Sequence, residues 1–328
     1  MTYTERTKFA CFTIAVLFSL AISCGSALLE AAAAELPDAS TIKPVKLLDV
    51  DHYCEGVVFD REGKGYISQG TQIVQFTLDG KSKVWAETPA PNGHKILGDG
   101  THLVCDAKAL AVLHLSRHGK MLKNASDNWQ GKPLLGPNDL SLDTPNGGFY
   151  FTDPEGSTKD KPIGAIYYVD AQGVTRQLDQ GLAYPNGIVL TPDGKKLLMG
   201  ESQHDRILVY DVLGPGKVSK HRVFADLPRK DTSAGQIDDQ PDGMCLDAAG
   251  NLFIAHYGMK QVQVLDPSGK LIARYPGGNL TTSNVAFGGP NMDQLFVTGG
   301  LGSEDGKGGL FRLDLGVKGL VILPPMNK

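Results

Sequence analysis

The chain has 328 residues, well beyond the ~150 of a typical single domain, so it holds either two domains or one large architecture. Glycine supplies 40 residues, about 12% against a usual ~7%, and hydrophobic residues only 41%, a turn-rich balance that argues against a helical bundle. Charged residues at 21% with recurrent apolar runs exclude disorder, and a net charge of −4 without any basic stripe excludes nucleic acid as a partner.

Residues 1–34 read as an export signal. Arg6 and Lys8 precede an uncharged stretch from Phe9 to Leu29, most apolar over Phe9–Ile22, and small residues follow. Cleavage is expected after Ala27 or Ala34. The competing readings are a retained membrane anchor and lipid attachment at Cys24 in Ala21-Ile22-Ser23-Cys24. The expected location is periplasmic or secreted, with no other membrane attachment. After the signal, residues 35–328 are expected to form one domain and a monomer. Of five cysteines, only Cys54, Cys105 and Cys245 lie beyond the signal, without CxxC spacing. An odd number so spaced excludes a disulfide framework and a cysteine-based zinc cluster, and leaves three buried thiols.

From there on, one pattern recurs six times. Segments open on Glu55, Asn92, Asn138, Asn186, Asp242 and Asn284. Each continues with an apolar run, a turn rich in Gly or Asn about seven residues on, and a second apolar run. The leading residues are separated by 37, 46, 48, 56 and 42 residues, a mean of about 46. A lone Asn-Gly or Asp-Gly is an ordinary hairpin turn. Six recurrences at a fixed distance before a second turn instead place the leading residue at one end of a strand of ~20 Å and the second turn at the other.

Further strands are predicted at Ile73–Leu78, Ile166–Val169, Ile207–Val212 and Gln261–Leu265. Outer strands are predicted at Val84-Trp85 and Arg222–Phe224, and turns at Asp79-Gly80, His118-Gly119, Gln172-Gly173 and Ser268-Gly269. Beyond the signal, no long stretch has helical periodicity. Four short strands per ~46 residues, repeated radially, define an all-β, six-bladed β-propeller. The segment Thr41–Val50 is expected to add the outer strand of the last blade and close the ring.

In such a ring the innermost strands run in one direction, so their first residues gather at one mouth of the central channel. Two carboxylates and four carboxamides in that space are costly to bury without partners. A hard cation such as calcium, which takes six to eight oxygen ligands, satisfies them. Histidine and thiol are absent from the ring, which argues against zinc there. The alternative is a structural ring of strand-end caps, with Asn92 and Asn284 the first candidates for that role.

Loops between second and third strands share the mouth, which makes Asp153, Glu155, His204, His256 and Tyr257, with Asn92, candidate substrate contacts. Each is equally readable as a solvated surface residue. An insertion around Arg229–Gln240, just before Asp242, is expected to overhang the mouth.

These motifs together resemble the family of gluconolactonase, senescence marker protein (regucalcin) and luciferin-regenerating enzyme, from about Leu48 to Leu315. The carriers are Glu55-Gly56, Pro137-Asn138-Asp139, Phe151-Thr152-Asp153-Pro154, Pro185-Asn186-Gly187, Pro192-Asp193-Gly194 and Pro241-Asp242-Gly243-Met244. The run Asn284–Gly289 is most similar to bacterial gluconolactonases. The resemblance implies a six-bladed propeller with one divalent cation, usually Ca2+, on Glu55, Asn138, Asn186 and Asp242. It also implies hydrolysis of sugar lactones. Two positions depart from the family. Val57 follows Gly56 where Pro is common, and Gly136 stands where animal members carry a substrate-binding Arg, which leaves the lactone's identity open.

The expected enzyme is a calcium-dependent lactonase, a hydrolase in which the cation polarises the carbonyl and Asp242 orients or deprotonates water. Glu55 mainly anchors the ion. Calcium lowers the basicity of a bound carboxylate, which favours water orientation over proton abstraction. The alternatives are an organophosphate or other ester hydrolase on the same site, and a non-catalytic propeller that binds a sugar or protein. No nucleophile elbow, P-loop or dinucleotide fingerprint is present, and the glycines of Gly299–Gly309 lack the strand–turn–helix context for phosphate.

Overall fold

The computed structural model describes residues 35–230, 237–302 and 306–322. The expected export signal, residues 1–34 with Cys24, lies outside the described residues. Among the described residues there are two short 3-10 turns, no α-helix, and no helix long and apolar enough to cross a membrane.

Six antiparallel sheets carry the fold, each of four strands or more, with one added hairpin, Asn128–Trp129 with Lys132–Pro133. This is the six-bladed propeller that the repeat predicts. The first blade runs outward through Cys54–Phe59, Gly65–Gln69, Gln72–Phe76 and Ser82–Glu87. The predicted third strand Gln261–Leu265 is found as such, and Ile73–Leu78 is shifted to Gln72–Phe76. The outermost strand of the last blade is Val45–Val50, paired with Gly308–Asp314, so the ring is closed by the beginning of the described chain.

Strand periodicity explains the packing. Successive side chains point to opposite faces, and each face of a blade meets a different neighbour. Phe149 and Phe151 pack with Leu103, Cys105 and Val112 of the second blade. Tyr150, between them, packs with Leu197, Met199 and Leu208 of the fourth. Four further seams repeat this arrangement, and the last joins Phe296 and Leu310 to Val57, Ile67 and Val74. The apolar core therefore sits between blades. Exposure rises outward: Gly65–Gln69 is buried throughout, whereas Ser82–Glu87 is mostly exposed.

The six innermost strands are Cys54–Phe59, Pro91–Ile96, Leu140–Asp143, Pro185–Leu190, Gln240–Leu246 and Thr281–Gly288. They adjoin one another in that order around the channel. At their far ends the channel widens into a cavity of about 480 Å3, lined by Phe59, Leu142, Val189, Leu246 and Phe287 among others. The segment after the last blade crosses there, with Leu320 N–H donating to Leu246 O at 3.0 Å.

Candidate metal centre at the channel mouth

The near ends of the innermost strands share a local distortion. Strand pairing slips between Glu55 and Val58, Pro91 and His94, Pro185 and Ile188, Pro241 and Met244, and Thr282 and Val285. Each slip is a bulge at the recurring polar residue. Bulges re-aim side chains and occur beside active sites.

The glycines that follow make the crowding possible. Gly56 has φ +52°, and a Cβ there would stand 2.0 Å from Asn92 O. A Cβ on Gly187 would stand 2.3 Å from Asp242 O. Blade one thus presses on blade two at Asn92, and blade four on blade five at Asp242. On the remaining side, Ser283 Oγ donates to Cys54 O at 2.7 Å and ties blade six to blade one beside Glu55. Gly93 N–H donates to Asn138 O at 2.8 Å. The six recurring residues therefore stand at the same ends of adjacent strands around one mouth.

Their surroundings differ. Glu55 and Asp242 are buried at 9% and 6% exposure. Tyr53 Oη donates to Glu55 Oε1 at 2.9 Å, an orienting contact that the sequence pattern does not signal. Asn186 is buried, and its Oδ1 has no hydrogen-bond partner. Asn92 Oδ1 is likewise buried without a partner. Asn284 is turned back on its own chain, with Oδ1 accepting from Val285 N–H at 2.8 Å. Asn138 is half-buried and its N–H donates to Thr152 O at 2.9 Å.

Buried carboxamide oxygens without partners are what a bound cation would satisfy. The donor set is all oxygen, carries two carboxylates, and has no thiol or imidazole, so it fits a hard divalent ion. A charged pair includes the residue that follows Asn138 in the chain. Asp139 is buried, burial raises its carboxyl above the usual range, and Lys95 Nζ stands 3.9 Å away. Asp139 occupies the position held by glycine after four of the other recurring residues.

The remaining sequence candidates are spread over the rim. Asp153 is fully buried and its two oxygens accept the N–H groups of Leu135, at 2.9 Å, and Gly136, at 2.7 Å. That holds the loop leading to Asn138. Glu155 is exposed beside Gly136, where an added Cβ would come within 2.7 Å of Glu155 Cβ. His204 ends a 3-10 turn and its carbonyl accepts from Arg229 at 2.7 Å. His256 is fully buried, and Tyr257 is nearly so. Cys54, next to Glu55, is closed off as well, and burial pushes its thiol up to about 12. Of the insertion Arg229–Gln240, residues 231–236 lie outside the described residues. Its leading end contacts blades four and five through Arg229 and Lys230.

The chain is similar in sequence to several known proteins. A gluconolactonase of Zymomonas mobilis is 30% identical over 213 residues, 61% of this chain and 58% of that protein. The lactonase drp35 of Staphylococcus saprophyticus is 30% identical over 284 residues, 81% of this chain and 84% of its own. The diisopropyl-fluorophosphatase of Loligo vulgaris is 27% identical over 275 residues, 74% of this chain and 84% of its own. In fold, the chain is similar to a calcium-binding regucalcin of Agrobacterium tumefaciens, with a TM-score of 0.67 at 23% identity, covering 87% of this chain and 95% of that one. The family described as the SMP-30/gluconolactonase/LRE-like region matches residues 54–300. The chain belongs to this SMP-30/gluconolactonase/LRE-like family.

Proposed function

We propose that the protein is a hydrolase that opens sugar lactones with a divalent cation, Ca2+, held by Glu55, Asn138, Asn186 and Asp242. The observation that carries this reading is the buried, unpartnered Asn186 Oδ1 within an all-oxygen ring at the channel mouth. Kinship with gluconolactonase and lactonase drp35 supports the substrate class. When bound, the cation supplies Lewis-acid polarisation of the ester carbonyl.

The chain's own residues do the rest. Asp242, on the last innermost strand but one, orients a water toward the acyl carbon and accepts its proton in part. Glu55, steadied by Tyr53, anchors the ion, and Asn138 and Asn186 contribute neutral oxygens that add no charge. Water adds to the acyl carbon, the ring C–O bond breaks, the ring oxygen leaves as a hydroxyl, and a hydroxycarboxylate and one proton are released. In this reading the rim residues Asn92, Glu155, His204 and Tyr257 are the candidates for contacts with the sugar hydroxyls.

The decisive experiment is a proton-release assay over a panel of sugar lactones, with and without calcium. Calcium-dependent turnover of at least one lactone is expected. Its absence from all of them would favour a binding propeller. The diisopropyl-fluorophosphatase relative supports a second reading, hydrolysis of a phosphoryl ester or fluoride at the same site, which the same assay tests with an organophosphate. Export through residues 1–34 belongs to this proposal, and amino-terminal sequencing of the mature protein tests it.

A further inference from the structure

At the top of the seam between blades four and five lies a cluster that the channel-mouth ring does not use. Asp205 caps the 3-10 turn Ser202–His204, Asp239 precedes the innermost strand of blade five, and His256 ends near the close of that blade's second strand. One ligand atom from each lies within 4.8 Å of the others.

Two atoms there are unsatisfied. His256 is fully buried, its Nε2 has no hydrogen-bond partner, and Asp239 Oδ2 stands 3.9 Å away, too far for a hydrogen bond. Asp205 Oδ1 is also buried without a partner. The other oxygen of Asp205 receives Arg229 Nε at 2.9 Å, and Asp239 Oδ2 accepts Lys230 N–H at 3.0 Å. A hydrogen-bonded imidazolium–carboxylate pair does not account for the arrangement, because no carboxylate oxygen stands within hydrogen-bond distance of Nε2.

We propose that Asp205, Asp239 and His256 form a second divalent-cation site, chemically distinct from the ring, that takes a borderline ion such as zinc. Imidazole with two carboxylates and a water completes four-coordinate zinc, whose ligand atoms stand about 3.3 Å apart. The three side chains reach that spacing by closing at most about 1.5 Å. The far side of the imidazole is already furnished for the role. Gln263 is fully buried, its amide nitrogen faces His256 Nδ1, and its Oε1 has no partner. A half-turn of that amide makes Oε1 the acceptor for Nδ1–H and leaves the Nε2 lone pair facing the carboxylates. The ring is hard and all oxygen, this cluster borderline, so the two sites sort metals by ligand type.

The test uses the full chain, stripped of metal and then supplied with excess calcium, titrated with zinc by calorimetry and with cobalt by visible absorption. One equivalent of zinc per chain, bound in the presence of calcium, is expected, with a cobalt spectrum of four-coordinate N/O ligation and a thermal midpoint raised by several degrees. Asp239→Asn and Asp205→Asn, both of which keep side-chain volume, should each weaken zinc at least tenfold while circular dichroism and calcium affinity are retained. No zinc binding beside calcium, or zinc affinity unchanged in both variants, would overturn the assignment. Neither result depends on whether any lactone is turned over.

Discussion

Gly243 lies flat against the Asn284 carboxamide: a Cβ added to Gly243 would stand 2.3 Å from Asn284 Cγ. The residue after Asp242 is thus glycine because the neighbouring blade occupies the space of its side chain. Gly243→Ala should destabilise by about 1–3 kcal/mol through overpacking and displace Asp242. Gly98, with nothing within 4 Å and no positive φ, is the control, and Gly98→Ala should be nearly neutral. Urea midpoints and calcium affinities of the two variants check this. Equal effects would mean that the contact does not position the ring.

The carboxylates divide their labour differently from the carboxamides. Asp242→Asn should retain the fold and lower turnover about 100-fold or more, the scale of a lost general base. Asn186→Ala should instead act mainly through calcium affinity, with turnover partly restored at high calcium. Steady-state kinetics over a calcium series distinguish the two. Near-normal turnover in Asp242→Asn would reject its role with water.

A buried histidine pair gives the fold an acid-sensitive element. His94 Nε2 and His102 Nδ1 meet at 2.8 Å against Trp85 and Tyr66. Burial is the main cause that lowers both, His102 to about 4. In the unfolded chain each titrates near ~6.5. Between about 6.5 and 4 the unfolded state therefore binds protons that the folded state refuses, and stability falls as pH falls. Asp205, raised to about 6 by burial, acts in the opposite sense over part of that window. The test is accordingly a difference: His102→Gln should have a shallower fall, by up to about 1.4 kcal/mol per pH unit. Parallel pH profiles from urea unfolding would show that the pair carries no such linkage.

Closure by Val45–Val50 has its own consequence for solubility. Deleting residues 35–50 uncovers the Gly308–Asp314 edge and removes Leu48 and Val50 from the seam that holds Phe296. Open strand edges template association. The truncated protein should have a lower thermal midpoint and form aggregates in light scattering, and a stable monomer would argue against the closing role.

Much of this was legible in the sequence because a propeller repeats its own register. The recurring Glu55, Asn92, Asn138, Asn186, Asp242 and Asn284 set both the number of blades and the mouth they share. The family match over residues 54–300 agrees with the resemblance carried by those motifs. What was not legible depends on contacts across seams. Asp153 reads as a loop carboxylate facing substrate, yet it holds the N–H groups of Leu135 and Gly136, eighteen and seventeen residues earlier. His256 gives no metal-ligand spacing, because its neighbours Asp205 and Asp239 arrive from another blade and from an insertion. Asn92 and Asn284 look alike in the pattern, and only packing turns one back on its own backbone.

Because the apolar core lies between blades, no blade has an interior of its own. A ribosome making this chain delivers the partner of Val45–Val50 only when Gly308–Asp314 emerges, more than 250 residues later. Contacts so distant in sequence form late and slowly. The first of the described strands is therefore among the last to find its place, and completion of the ring is the event that commits the whole molecule.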